Sequence, residues 1–133
     1  KPDIYRKCAE SPAFTRKVMH ETLRYNSPSS AMRKVVEAFD YRGVRFPAGT
    51  LIMFPWGFSG RDTTAATDPD TFNPDRDGLR GSLGQFIGMA QIEEGFHVIA
   101  RRMTNPRLAG APGWRPYPGV WGLAGLPLEY DAA

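Results

Sequence analysis

The stretch Glu21-Thr22-Leu23-Arg24 decides the fold of this sequence, together with Phe72-Asn73-Pro74-Asp75-Arg76 further along the chain. Glu21 and Arg24 are three residues apart in a segment with helical periodicity, so their side chains can meet on one face. A guanidinium in that position can bind a carboxylate through two hydrogen bonds. A solvated surface pair is the ordinary interpretation of this spacing, so the surrounding segments must decide.

The segment that contains this pair is predicted to be a helix from Pro12 to Tyr25. Ser11-Pro12 supplies a capping side chain followed by proline at the first helical position. Ser27-Pro28 ends the helix, because proline disfavours helical geometry in the residue before it. A shorter helix is predicted from Pro2 to Glu10. The longer helix has one apolar stripe, which comprises Phe14, Val18, Met19, Thr22 and Tyr25.

Short extended runs are predicted after these helices. They are Met32 to Phe39, Val44 to Phe46 and Thr50 to Phe54. Pro47-Ala48-Gly49 has the order of residues found in a type II turn. The segment from Gly57 to Leu83 is rich in Gly, Asp, Thr and Pro without a period, so a long irregular connection is expected there.

A last helix is predicted to end at Asn105-Pro106, after apolar residues that recur every three or four positions. These residues are Met89, Ile92, Phe96, Ile99 and Met103. Glu93 and Glu94 are assigned to its early part and Arg101 and Arg102 to its end, in agreement with the helix dipole. The tail from Arg107 is expected to form loops and a small hairpin.

Composition indicates a globular chain of about one domain, with 133 residues, 41% hydrophobic and 12% aromatic. The net charge of +3 is spread in both signs, so neither a nucleic-acid nor a membrane partner is expected. The apolar run Leu51 to Phe54 is too short to span a bilayer, and a cytoplasmic location is expected. The single Cys8 excludes an intrachain disulfide and a multi-cysteine metal cage.

The order of these segments resembles the C-terminal part of the cytochrome P450 superfamily. Residues 21–24 resemble the Glu-x-x-Arg of the K helix, and residues 72–76 resemble the meander, whose arginine completes a Glu-Arg-Arg triad. The resemblance implies a buried structural network of Glu21, Arg24 and Arg76. Residues 44–50 are similar to a hairpin of the family, and the tail is similar to its C-terminal segment.

The resemblance implies an α+β fold, a P450-like C-terminal half with small antiparallel β-hairpins and a long meander. Residues 1–133 are expected to form a single domain. Its parts are helices including the K helix at 1–25, β-hairpins at 31–54, the meander and a shortened haem-loop region at 57–87, the L helix at 88–104, and C-terminal loops with a hairpin at 107–133.

The sequence departs from the family where the haem ligand belongs. A P450 needs a cysteine thiolate beneath the iron, because this ligand favours cleavage of the oxygen–oxygen bond. Between Arg76 and Glu93 there is no cysteine, and the segment has several residues fewer than the family carries. Phe86 falls at or near the ligand position, where a phenyl ring cannot coordinate iron. The haem-ligating loop is therefore interpreted as deleted, and no catalytic residue is assigned.

No bound cofactor or metal is expected, with haem as the alternative. Arg33 resembles an arginine that binds a haem propionate in many family members, although an ordinary strand-surface arginine is the alternative. His20 and His97 are chemically capable axial ligands, but both are first interpreted as packing or surface residues. Cys8 precedes the K helix, and the family layout does not bring that region beneath the haem.

Three functions remain open. The first is a truncated P450-like protein that serves as a non-catalytic auxiliary or binding subunit, as in haem-free relatives that assist glycosyltransferases in natural-product pathways. The second is part of a haem-dependent monooxygenase or peroxygenase completed by another segment or chain. The third is a small scaffold that binds an apolar ligand or associates with itself. A protein partner or a second copy is expected to cover apolar helix faces that the rest of a P450 would otherwise bury.

Overall fold

The computed structural model describes residues 1–64, 67–76, 85–115 and 122–132. The elements are α1 (Pro2–Glu10), α2 (Pro12–Tyr25), β1 (Ser30–Lys34), β2 (Phe39–Tyr41), β3 (Val44–Phe46), β4 (Leu51–Pro55), α3 (Trp56–Ser59), α4 (Gln85–Arg102), β5 (Met103–Leu108), β6 (Gly113–Trp114), β7 (Leu123–Gly125) and β8 (Leu128–Ala132). Among the residues described, no helix combines the length and apolar content that crossing a membrane requires.

Helices α1 and α2 begin and end at the residues predicted for them. The Ser11 hydroxyl accepts a hydrogen bond from the Phe14 amide at 3.2 Å and so caps the first turn of α2. Thr15 is fully buried and its hydroxyl donates to the Cys8 carbonyl at 3.0 Å. This contact fixes the angle between the two helices at their junction.

The described core lies where α1, α2 and α4 meet. Its buried hydrophobic residues are Cys8, Val18, Met19, Met89 and Ala100, with Phe96 and Phe72 among the half-buried residues packed against them. The hydroxyl of Tyr5 donates to the carbonyl of Met103 at 2.8 Å, which ties α1 to the end of α4. The core is therefore a three-helix junction, and the small sheets lie outside it.

The last helix differs from its prediction at both ends. It runs from Gln85 to Arg102, so its first turn contains no acidic residue and Glu93 lies in its middle. Met103 and Thr104, predicted to be helical, begin β5 and pair with β8. The Thr104 hydroxyl donates to the Asp131 carbonyl at 2.9 Å. Strand pairing with a distant segment therefore replaces the last helical turn.

The single extended run predicted from Met32 to Phe39 is wrong, because β1 ends at Lys34 and β2 begins at Phe39. Val35 is buried, and its amide donates to Thr50 while its carbonyl accepts from Gly49. Strands β1 and β4 pair with antiparallel register, with β2 and β3 as a second hairpin between them.

Two turns in this region require left-handed backbone. Arg42 and Gly43 have φ values of 48° and 78°, the geometry of a two-residue type I′ hairpin turn. Gly49 has φ of 89°, and the Thr50 amide donates to the Pro47 carbonyl. The predicted turn therefore forms with glycine in its third position.

The segment after β4 is less irregular than predicted, since Trp56–Ser59 forms the short helix α3. The tail beyond Arg107 contains more strand than predicted, because β5 pairs with β8 and β6 pairs with β7. Both differences have the same cause. Short elements of this kind are stabilised by contacts with distant segments, which local periodicity does not reveal.

Gly60 is predicted to be intolerant of alanine. A Cβ at Gly60 would overlap the carbonyl oxygen of Arg24, whereas a Cβ at Gly57 would lie 3.5 Å from the carbonyl oxygen of Ser27. We expect Gly60→Ala to lower the free energy of unfolding by about 1–3 kcal/mol, because overpacking forces the backbone to shift. The matched Gly57→Ala should be neutral or stabilising by up to about 1 kcal/mol. Urea denaturation measures both, and equal effects would contradict the assigned close approach.

Candidate functional site

The buried carboxylate of Glu21 lies at the centre of the candidate site. Glu21 is 0% exposed, and the side chain of Arg24 is 8% exposed. Arg24 donates from Nε to Oε2 at 2.7 Å and from Nη2 to Oε1 at 2.8 Å. The structure thus shows the two-bond pair that the spacing in α2 allowed, in the protein interior.

The second half of the site comes from the segment of residues 67–76. The backbone amide of Asn73 donates to Glu21 Oε1 at 2.8 Å. Arg76, whose side chain is 13% exposed, places its Nε 3.8 Å from the same oxygen. That Nε is buried and has no hydrogen-bond partner among the described residues. The structure therefore brings Glu21, Arg24 and Arg76 together, and Arg76 acts on Glu21 mainly through its charge.

Both guanidinium groups also bind backbone carbonyls of the surrounding loops. Arg24 donates to the carbonyls of Gly60 at 2.6 Å, Pro69 at 2.8 Å and Thr71 at 3.2 Å. Arg76 donates to the carbonyls of Thr67, Asp68 and Thr71. These bonds give order to a segment without regular secondary structure. The arrangement supports the backbone and offers no group for proton transfer to a substrate.

The net effect of these contacts is to lower the pKa of Glu21. Burial alone raises the pKa, because it penalises the charged form. The hydrogen bonds from Arg24 and the Asn73 amide oppose this effect, as do the positive charges of Arg24 and Arg76. Together they outweigh burial, so Glu21 is held as a carboxylate.

Sequence reasoning missed the part that Arg61 plays beside this network. Its Nε donates to the Tyr25 carbonyl at 3.1 Å, and its guanidinium lies 4.0 Å from the centre of the Tyr25 ring. It also pairs with Asp70 at 3.2 Å. The sequence carries no signal for these contacts, because a backbone carbonyl and the end of a helix have no residue type of their own.

The residues considered for haem contact are dispersed. The only cysteine, Cys8, is 0% exposed in the helical core. His97 lies against α1, with Nδ1 2.7 Å from the Cys8 carbonyl oxygen. His20 is half-buried on α2. Arg33 is exposed on β1 and donates to the Met32 carbonyl at 2.8 Å.

Other calls concern the region before and at the start of α4. Phe86 is the second residue of that helix. The shortened loop predicted before it falls on residues 77–84, which lie outside the described residues. Within the described ranges, no group of three or more His, Cys, Asp or Glu residues is arranged to hold a metal ion.

A cleft of about 580 Å³ lies apart from the buried pair, between α1, α2, α4 and the segment of residues 70–72. Its apolar lining includes Tyr5, Val18, Phe72 and Phe96. The volume falls within the range of small-molecule pockets in proteins.

The chain is similar to known proteins along nearly its whole length. The family model described as Cytochrome P450 matches residues 6–76. Luteothin monooxygenase of Streptomyces thioluteus is 31% identical over 144 residues, covering 99% of this chain and 36% of that protein. Vitamin D(3) 25-hydroxylase of Pseudonocardia autotrophica is 33% identical, with 96% and 35% covered.

A solved structure supports the same assignment. The structure of P450 OxyD, described as involved in the biosynthesis of vancomycin-type antibiotics, has a TM-score of 0.85 and 25% identity, covering 99% of this chain and 36% of that chain. The predicted α+β fold class is confirmed. The chain spans about a third of the length of the relatives it matches.

Removal of Arg24 is expected to destabilise the fold strongly. Arg24→Ala should lower the free energy of unfolding by about 3–5 kcal/mol, because the buried Glu21 carboxylate loses its paired charge. Arg45→Ala is the control, since Arg45 pairs with Asp40 at 2.6 Å with both side chains more than half exposed. That loss should be about 0–1 kcal/mol. Urea denaturation tests both, and an unchanged midpoint for Arg24→Ala would refute the buried pair.

The buried carboxylate should also produce a pH-dependent component of stability. The native pKa of Glu21 is lowered, so its contribution is complete above the unfolded pKa of about 4.3 and is lost as pH falls through the native pKa. The difference in unfolding free energy between the parent chain and Glu21→Gln should therefore shrink as pH is lowered from about 5 to about 3. Glu10→Gln removes an exposed carboxylate as the control. A constant difference for Glu21→Gln would contradict the lowered pKa.

Proposed function

The chain belongs to the cytochrome P450 family, and from this premise we propose that it is a non-catalytic auxiliary or binding protein without the haem-thiolate site. The observation that carries the proposal is the position of Cys8. It is the only cysteine in the sequence and is fully buried between α1, α2 and α4. Burial raises the pKa of its thiol, which favours the neutral form rather than a thiolate ligand.

The residues of this chain do not fit the family's haem. In the family the haem is held by a cysteine thiolate, which supplies electron density to the iron. Cys8 is enclosed by core side chains, and Nδ1 of His97 is engaged with the Cys8 carbonyl. The exposed guanidinium of Arg33 already donates to its neighbouring carbonyl. No catalytic step is therefore assigned to haem in this chain.

The alignment with luteothin monooxygenase agrees with a shortened chain. It extends over 144 residues, whereas this chain has 133. The relative therefore carries residues without a counterpart here. This is consistent with the proposed loss of the haem-ligating loop between Arg76 and α4.

A second candidate is a segment of a haem-dependent monooxygenase or peroxygenase that another segment or chain completes. The observation in its favour is coverage, because this chain accounts for 36% of the length of luteothin monooxygenase. A completing segment would have to supply the cysteine, since the chain has none other than Cys8. For this reason the non-catalytic role is the better supported proposal.

Haem titration separates the two candidates. We expect the purified 133-residue chain to show no haem-thiolate absorption band after addition of haem, dithionite and carbon monoxide, because it offers no accessible thiolate. A thiolate-type band that disappears in Cys8→Ala would overturn the proposal. A histidine-type spectrum would also overturn it, and His20→Ala and His97→Ala would identify the ligand. Addition of free haem to Arg24→Ala controls for non-specific binding to unfolded chain.

A further inference from the structure

Helix α4 has two apolar faces, of which only one is covered. On the face that contacts α1 and α2, Met89 and Ala100 are 6% and 2% exposed. On the other side, four branched apolar side chains are exposed to solvent. They are Ile87 at 77%, Ile92 at 45%, Val98 at 44% and Ile99 at 44%. Solvated helix faces normally carry polar residues, so this face indicates an interaction surface.

The exposed face has alternating bulky and open positions. Gly88, Ile92, Gly95 and Ile99 recur at spacings of four, three and four, which places them in one stripe along the helix. No atom lies within 4 Å of a Cβ built at Gly88 or Gly95. The two isoleucine side chains therefore alternate with two gaps into which a side chain of another helix can fit.

We propose that this face of α4 binds the same face of a second copy of the chain, with the two helices antiparallel. Antiparallel pairing places Ile92 of each copy opposite Gly95 of the other. The same register places Ile99 opposite Gly88, so the four positions are complementary to themselves. Such a twofold arrangement uses one patch on both subunits. The inference rests on the proposed binding function and specifies its partner.

Charge favours the antiparallel over the parallel arrangement. Arg101 and Arg102 occupy the last turn of α4. A parallel pair would bring four arginines together at one end, where like charges repel. In the antiparallel pair they lie at opposite ends, separated by most of a helix of roughly 27 Å. Between Ile87 and Ile99 the stripe itself contains no charged residue.

Sedimentation equilibrium of the 133-residue chain tests the inference. A concentration-dependent dimer is expected, and Ile92→Glu should raise its dissociation constant at least about tenfold, because a charge would be buried against an apolar surface. Val36→Glu is the matched control, since Val36 is 86% exposed and lies outside α4. It should leave the dissociation constant unchanged.

A second variant excludes misfolding as the cause. Gly95→Leu adds a side chain where the isolated chain has open space, and leucine favours helix more than glycine does. The variant should therefore keep or raise the melting temperature while it weakens the dimer. A monomeric parent chain at all concentrations, or a dimer insensitive to both α4 variants, would overturn the inference.

Cysteine cross-linking tests the orientation. Under oxidation, chains carrying Gly88→Cys should form disulfides with chains carrying Ile99→Cys. Gly88→Cys alone should not cross-link, because its two copies would be about 16 Å apart in the antiparallel register. Cross-linking of Gly88→Cys with itself would instead show a parallel pair and overturn the proposed register. The unmodified chain, with Cys8 buried, is the control.

Haem absorbance of the same samples separates this inference from the proposed function. A monomer that takes up no haem would overturn only the self-association. A dimer with a thiolate-type spectrum would overturn only the non-catalytic role. Binding of α4 to an unrelated protein by a chain that remains monomeric would also overturn the second copy as the partner.

Discussion

A fully buried carboxylate is stable only when positive charge and hydrogen-bond donors replace water, and Glu21 imposes this requirement on the fold. Arg24 meets part of it from the same helix. The rest comes from the Asn73 amide and the Arg76 charge, more than fifty residues along the chain. The segment of residues 67–76 therefore has to lie against α2. In this position it also contributes Phe72 to the surroundings of the helical core.

The parts of this arrangement that depend on side-chain identity were predictable from the sequence. Glu21 and Arg24 have helical spacing, and Ser11-Pro12 and Ser27-Pro28 mark the ends of their helix. Arg76 was identified through the family resemblance. The carbonyls that Arg24 binds were not predictable, because backbone acceptors exist at every residue. Only the close approach at Gly60 leaves a trace in the sequence, and a glycine alone has many explanations.

The wrong predictions share a physical cause. Glu93 was assigned to the start of the last helix for its effect on the dipole, but it lies mid-helix and is paired with Arg16 at 2.8 Å. Met103 matched the apolar period of the helix, but it belongs to a strand that pairs with β8. In both cases a contact with a distant segment outweighed the local pattern. Local propensities amount to only a fraction of a kcal/mol per residue, so one tertiary contact can override them.

The contacts of Glu21 and Arg24 also explain why family membership and haem chemistry can separate. Among the described residues, their partners are side chains and backbone groups of the chain itself, and none belongs to the helix that follows the proposed haem loop. Loss of the ligand loop therefore leaves this network intact. In contrast, α4 keeps an apolar face that α1 and α2 do not cover. Because burial of apolar surface is favourable, selection on such a chain can act on what that face binds after oxygen chemistry is gone.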